Sequence, residues 1–140
     1  MADYTIQGNI LIGKPRIVVA STGRLYTAYR YTTGGTTYLA VAFSDNNGVT
    51  WDEVTEIDTV GKEFICMAMD GKDVIHLGYE KSDYIIVYRT FAGGAFRSEE
   101  TVYDGTVGTE GISDVDIAVN SDNIPHIVWS QDESAASTQD

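Results

Sequence analysis

One segment of the chain occurs three times at a spacing of roughly fifty residues, and this limits the fold more than any other feature. Ile17-Val-Val-Ala-Ser-Thr-Gly-Arg-Leu-Tyr-Thr-Ala-Tyr29 aligns with Cys66-Met-Ala-Met-Asp-Gly-Lys-Asp-Val-Ile-His-Leu-Gly78. Both align with Ile117-Ala-Val-Asn-Ser-Asp-Asn-Ile-Pro-His-Ile-Val-Trp129. Each copy reads as an apolar strand, a polar turn and a second apolar strand. Repeats of this length cannot bury their apolar faces alone and do so against their neighbours.

Abundant Gly, Thr, Tyr and Val, only 2 proline residues and no long helical periodicity make the expected fold all-β. After the first copy comes Tyr38–Ile57, an apolar run, a polar turn at Asn47-Gly48 and a second, more polar run. Asn-Gly favours a hairpin because the tight turn needs positive φ at both central residues. Tyr84–Phe96 follows the second copy in the same way, with Gly93-Gly94 as the turn and Phe96 in place of the Trp. Each unit is therefore expected to hold four antiparallel strands, running from inner to outer.

The inner strands Ile17–Ala20, Ile65–Met69 and Ile117–Val119 are apolar at successive positions, as expected of a sheet covered on both faces. The outermost strands, Trp51–Ile57 and Phe96–Tyr103, carry Asp52, Glu53, Glu56, Arg97, Glu99 and Glu100, as suits an edge in water. Neither terminal repeat reads as a polar cap. The expected organisation is a lone outer strand in 1–13, containing Tyr4–Ile10, then full units at 14–60 and 61–110, a half unit at 111–131 and a tail at 132–140.

Ser44, Asn46, Gly48, Thr50 and Trp51 resemble the Asp-box of bacterial neuraminidase repeats, Ser-x-Asp-x-Gly-x-Thr-Trp, with Asn46 at the Asp position. The resemblance implies a β-propeller of four-stranded antiparallel blades, the fold of sialidases and their non-enzymatic relatives. It also implies a structural role for these residues, on the rim away from any catalytic face. Propellers close with about four blades or more, so this chain is expected to be an incomplete propeller. Either copies assemble head to tail into a homo-oligomer, or the remainder of a longer propeller completes the ring.

Lys14-Pro-Arg-Ile-Val-Val19 resembles the first blade of sialidases, where the Arg of an Arg-Ile-Pro motif clamps a substrate carboxylate. Arg16 and Ile17 match; Val18 replaces the proline. The planar guanidinium suits such a clamp. The acid that such enzymes place in this blade is missing, because Tyr29–Thr37 contains no carboxylate, and without it a glycosidic leaving group has no proton donor.

Composition bears on partners. A formal net charge of −12 disfavours nucleic acid and anionic membrane surfaces, and no apolar run is long enough for a membrane span. The first residues have neither a basic nor an apolar signal region, so no secretory signal is read there. Cys66, in an apolar strand, reads as a small buried hydrophobe. No cofactor is expected. Metal binding is not expected either: His76 and His126 hold equivalent strand positions one repeat apart and would not converge.

Ligand-binding candidates are Arg16, Glu63, Asp114 and Asp116, at the openings of inner strands, and Tyr29, one of a set of tyrosines whose rings could stack on sugars but whose place in strands favours core packing. The expected function is non-enzymatic recognition or assembly, binding glycans or another surface partner. The alternatives are a fragment or subunit of a sialidase-like glycoside hydrolase, and a structural component of a phage particle or adhesin.

Overall fold

The computed structural model describes residues 10–58, 64–82, 84–105 and 110–133, and within them the chain is strand and turn, without helix. Four strands, β1 (Ile10–Val19), β2 (Leu25–Thr33), β3 (Thr36–Ser44) and β4 (Asp52–Asp58), form an antiparallel sheet in chain order. A second sheet holds β5 (Ile65–Met69), β6 (Ile75–Ser82) and β7 (Ile85–Ala92), whose outer edge carries both β8 (Ala95–Phe96) and β9 (Glu100–Asp104). The third sheet is the pair β10 (Glu110–Val119) and β11 (Pro125–Glu133). None of the sheets closes on itself.

Residues 10–13 run continuously into β1, with a bulge between Ile12 and Arg16, instead of ending a separate strand. The earlier part of the lone strand read from sequence lies outside the described residues, as does the tail beyond Glu133.

The first strands of the sheets lie side by side, β1 against β5 and β5 against β10. Ala28, Leu39 and Val41 of the first sheet pack on Ile65, Ile75, Leu77, Tyr79, Val87 and Phe91 of the second. The opposite face of the second sheet offers Cys66 and Ile86 to Ile112, Val115 and Ile117 of the third. The second sheet is thus covered on both sides, which is why β5 reads Ile-Cys-Met-Ala-Met without alternation.

Gly78, across the strand from Cys66 on the face toward the third sheet, leaves no room for a side chain: a Cβ there would stand 2.7 Å from Cys66 Sγ and 3.5 Å from Ile127 Cδ1. A third cluster, Tyr29, Tyr31, Ala40 and Ala42 with Tyr38 and Trp51, lies on the first sheet's other face.

Three turns superpose the repeats. In each, the first residue donates its amide to the carbonyl four positions on: Ala20 to Arg24 (2.9 Å), Asp70 to Val74 (3.0 Å) and Asn120 to Ile124 (3.1 Å). The fourth residue is left-handed every time, Gly23 at φ 87°, Asp73 at 60° and Asn123 at 63°. Neighbouring turns are also bonded to each other. Ser21 N donates to Asp73 Oδ1 (2.7 Å), and Gly71 N to Asn123 Oδ1 (3.0 Å).

These equivalences put Met67, not Cys66, in line with Ile17 and Ile117, so the sequence alignment of the second copy slips by one residue. In a strand, one residue is the difference between the two faces.

The expectation that neither terminal repeat is polar enough to cap also changes. On β10, Val115 and Ile117 are buried, whereas Asp114, Asp116 and Ala118 are exposed. The acids alternate with the apolar residues, so the third sheet has one apolar face and one largely polar face.

Candidate functional site

The turn between β3 and β4 spans seven residues, 45–51, and is not the two-residue hairpin that Asn47-Gly48 suggests. Both residues do adopt positive φ, 58° and 82°. Ser44, buried at the end of β3, accepts the amide hydrogens of Gly48 (2.9 Å) and Asn46 (3.4 Å) and donates to Asn46 Oδ1 (2.9 Å). Asn46 Oδ1 also accepts from Thr50 N, and Asn46 Nδ2 donates to Thr50 Oγ1, each at 2.8 Å. The polar groups of Ser44, Asn46 and Thr50 thus bond to one another, as short polar side chains do in turns.

Trp51 then turns inward to the third cluster. Arg24 holds the turn from outside, pairing with both oxygens of Asp45 (2.6 and 2.8 Å) and lying 4.3 Å from the centre of the Phe43 ring.

The ligand-binding candidates fall in three places. Arg16 faces the gap between the first two sheets, where its Nε donates to Ile65 O at 2.9 Å and ties β1 to β5. Asp114 and Asp116 stand on the exposed face of the third sheet, each accepting the amide hydrogen of the next residue at 2.9 Å. With Val128, Trp129 and Ser130 they line an open depression of about 280 Å³.

Tyr29 belongs to neither place. It is 3% exposed in the third cluster, a core residue like Tyr31 and Tyr79, and burial removes it as a ligand-binding candidate. Glu63 lies outside the described residues.

The charges of Asp116, Arg16 and Asp114 all reach Cys66, between the second and third sheets. Burial pushes its thiol up to about 12, the nearby aspartates add to the rise, and Arg16 opposes it. A thiol held protonated is a poor nucleophile.

Two polar clusters were not read from the sequence. His76 is 5% exposed; its Nδ1 stands 2.7 Å from Tyr88 Oη and its Nε2 3.3 Å from Asp70 Oδ2. Burial raises the Asp70 carboxyl, but the amides of Val74 and Lys72 and the imidazole outweigh it and hold the group below its ordinary value. Burial raises Tyr88. His126, the equivalent in the third sheet, is exposed. Among the described residues no group of three or more His, Cys, Asp or Glu side chains could hold a metal ion.

Glu99 is the second case. Expected at a wet edge, it is instead caged by Tyr79 Oη (3.0 Å), Arg89 Nη2 (3.1 Å) and Lys81 Nζ. Burial pushes this carboxyl up, yet the bonds from Lys81, Arg89 and Tyr79 leave it below the ordinary glutamate value. Its partners come from β6 and β7, so no local spacing in the sequence could have revealed the cluster. The Asp70–His76 pair had a weak signal, since Asp70 opens its turn where Asn120 opens the third.

Neither cluster offers a nucleophile and base to solvent. Exposed features among the described residues include the acidic face of the third sheet and, opposite Val115 on its other face, Trp129, 36% exposed, whose ring lies 5.2 Å from that of Tyr103. Compared with protein-family models and with curated proteins, the chain gives no match to either.

Proposed function

We propose that the chain is a recognition module of the Asp-box β-propeller type, its three sheets being successive blades, and that it binds carbohydrate without transforming it. The observation that carries this reading is the repeated junction: Ser21 to Asp73 and Gly71 to Asn123 link neighbouring turns by the same bond, and the first strands stand together. The hydrogen-bonded turn from Ser44 to Thr50, with Trp51 packed beneath, supports the Asp-box assignment.

Carbohydrate suits the accessible surface. Asp114 and Asp116 accept hydroxyl protons on the outward face of the third sheet, where the C–H face of a sugar rests on Val128, exposed beside them in the same depression. Binding without turnover fits Tyr29–Thr37, which has no carboxylate to protonate a leaving group. A glycan array with the intact protein is the test. Binding lost on Asp116→Asn supports the reading; an empty array removes it. Hydrolysis of a fluorogenic sialoside, abolished by Arg16→Ala, would establish the enzymatic alternative instead.

A second reading, head-to-tail assembly of copies, draws on Ile17 and Val19 of β1, each 60% exposed on the side away from the second sheet. Val128, 65% exposed on the outward face of the third sheet, is a large apolar residue able to meet them. The junction would lack the bond between turns, because Gly23 has no side chain where Asp73 and Asn123 supply the acceptor. Solution mass by light scattering decides: two or more chains, reduced to one by Ile17→Ser, supports assembly, and a single-chain mass at high concentration ends it.

A further inference from the structure

The geometry points to Asn47-Gly48 as a site of spontaneous backbone modification, deamidation through a cyclic imide, with Ser44 as its guard. Asn47 is exposed, and its side chain makes no hydrogen bond among the described residues. The residue after it has no side chain to hinder its nitrogen. Those are the chemical requirements for the reaction, and they do not depend on what the protein binds.

The step balances without an enzyme or an oxidant. Gly48 N attacks Asn47 Cγ and the N–Cγ bond forms. The Cγ–Nδ2 bond breaks, and Nδ2 leaves as ammonia with the proton from Gly48. Water then opens the imide at either carbonyl, giving aspartate or, by cleaving the original peptide bond, isoaspartate.

The native turn opposes the first step. Gly48 N–H, whose proton must be lost, donates to Ser44 Oγ at 2.9 Å. Both residues are held at positive φ, 58° and 82°, by a turn closed at its far side through Asn46 and Thr50. The nitrogen must give up its bond and swing toward Cγ, so reaction occurs from the opened turn. Isoaspartate lengthens the main chain by one carbon between the residues that Ser44 and Thr50 clamp, so the modified turn cannot re-form this network. The damage would pass to Trp51.

The experiment is peptide mapping by mass spectrometry of the full-length protein during incubation at mildly alkaline pH, folded and unfolded in urea, with Ser44→Ala in parallel. We expect Asn47 to convert in the unfolded chain and more slowly in the folded one. Folded Ser44→Ala should react up to about tenfold faster than folded wild type, the value of one ordinary hydrogen bond. An unmodified Asn47 in the unfolded chain overturns the site. Equal rates in folded and unfolded wild type overturn the guard, as does a folded Ser44→Ala at the wild-type rate. Should Ser44→Ala not fold, the wild-type comparison alone decides.

Discussion

Asp73 and Asn123 occupy the same place in successive turns, both left-handed, and each accepts the amide hydrogen of a residue in the turn of the preceding sheet. Asp73 takes Ser21 N at 2.7 Å and Asn123 takes Gly71 N at 3.0 Å. Asp and Asn tolerate the left-handed region better than other residues with side chains, and their short arms reach the neighbouring turn. A single side chain in each turn therefore meets a backbone demand and an inter-sheet demand together.

Substitutions at Asn123 separate the two demands. Asn123→Gly keeps the left-handed backbone and loses the bond, costing about 1 kcal/mol. Asn123→Ala loses the bond and strains the backbone, adding roughly 1 kcal/mol more. Urea denaturation of both variants checks the order; equal stabilities would remove the backbone contribution.

Gly78 and Cys66 should be energetically coupled. The Cβ of Gly78→Ala would stand 2.7 Å from Cys66 Sγ between packed sheets, so the single change should destabilise by about 1–3 kcal/mol. Cys66→Ala removes the sulfur and leaves space there. The double variant should be more stable than the sum of the single losses predicts, and a double-mutant cycle measures that coupling. Strict additivity would place the clash elsewhere.

Trp51→Ala should cost about 3 kcal/mol, the lower part of the range for truncating a large aromatic residue, because the ring is half-buried in the third cluster. A loss under about 1 kcal/mol, typical of surface substitutions, would mean that the cluster does not depend on the ring.

Glu99 makes stability depend on pH in a fixed direction. Its folded-state value lies below its ordinary one, because the bonds from Lys81, Arg89 and Tyr79 outweigh the burial that pushes it up. The carboxylate therefore contributes stability fully above the ordinary value of 4.5, and the contribution is lost as pH falls through the lower folded value. Glu99→Gln should weaken the fold at neutral pH and flatten the acid limb of the stability curve. Melting temperatures measured from pH 7 to pH 3 test the sign.

Local chemistry made much of the fold legible. Apolar runs interrupted by Gly, Asn and Asp give antiparallel strands and turns wherever they are placed, and the threefold recurrence of that pattern announced three similar sheets. Even the outward face of the third sheet was written in Asp114-Val115-Asp116-Ile117, although only its burial pattern made the alternation evident.

What the sequence could not decide was which surface each strand turns to which neighbour. Glu99 looks like a surface residue in any local window, yet side chains from strands distant in the chain cage it; Tyr29 reads there as a strand residue, and only the packing of the sheets removes it from a binding surface. Strand character depends on a few adjacent residues, whereas burial and ion pairing depend on which sheets meet and in what register. A slip of one position, as between Cys66 and Met67, exchanges the two faces without altering the strand propensity that local reading detects.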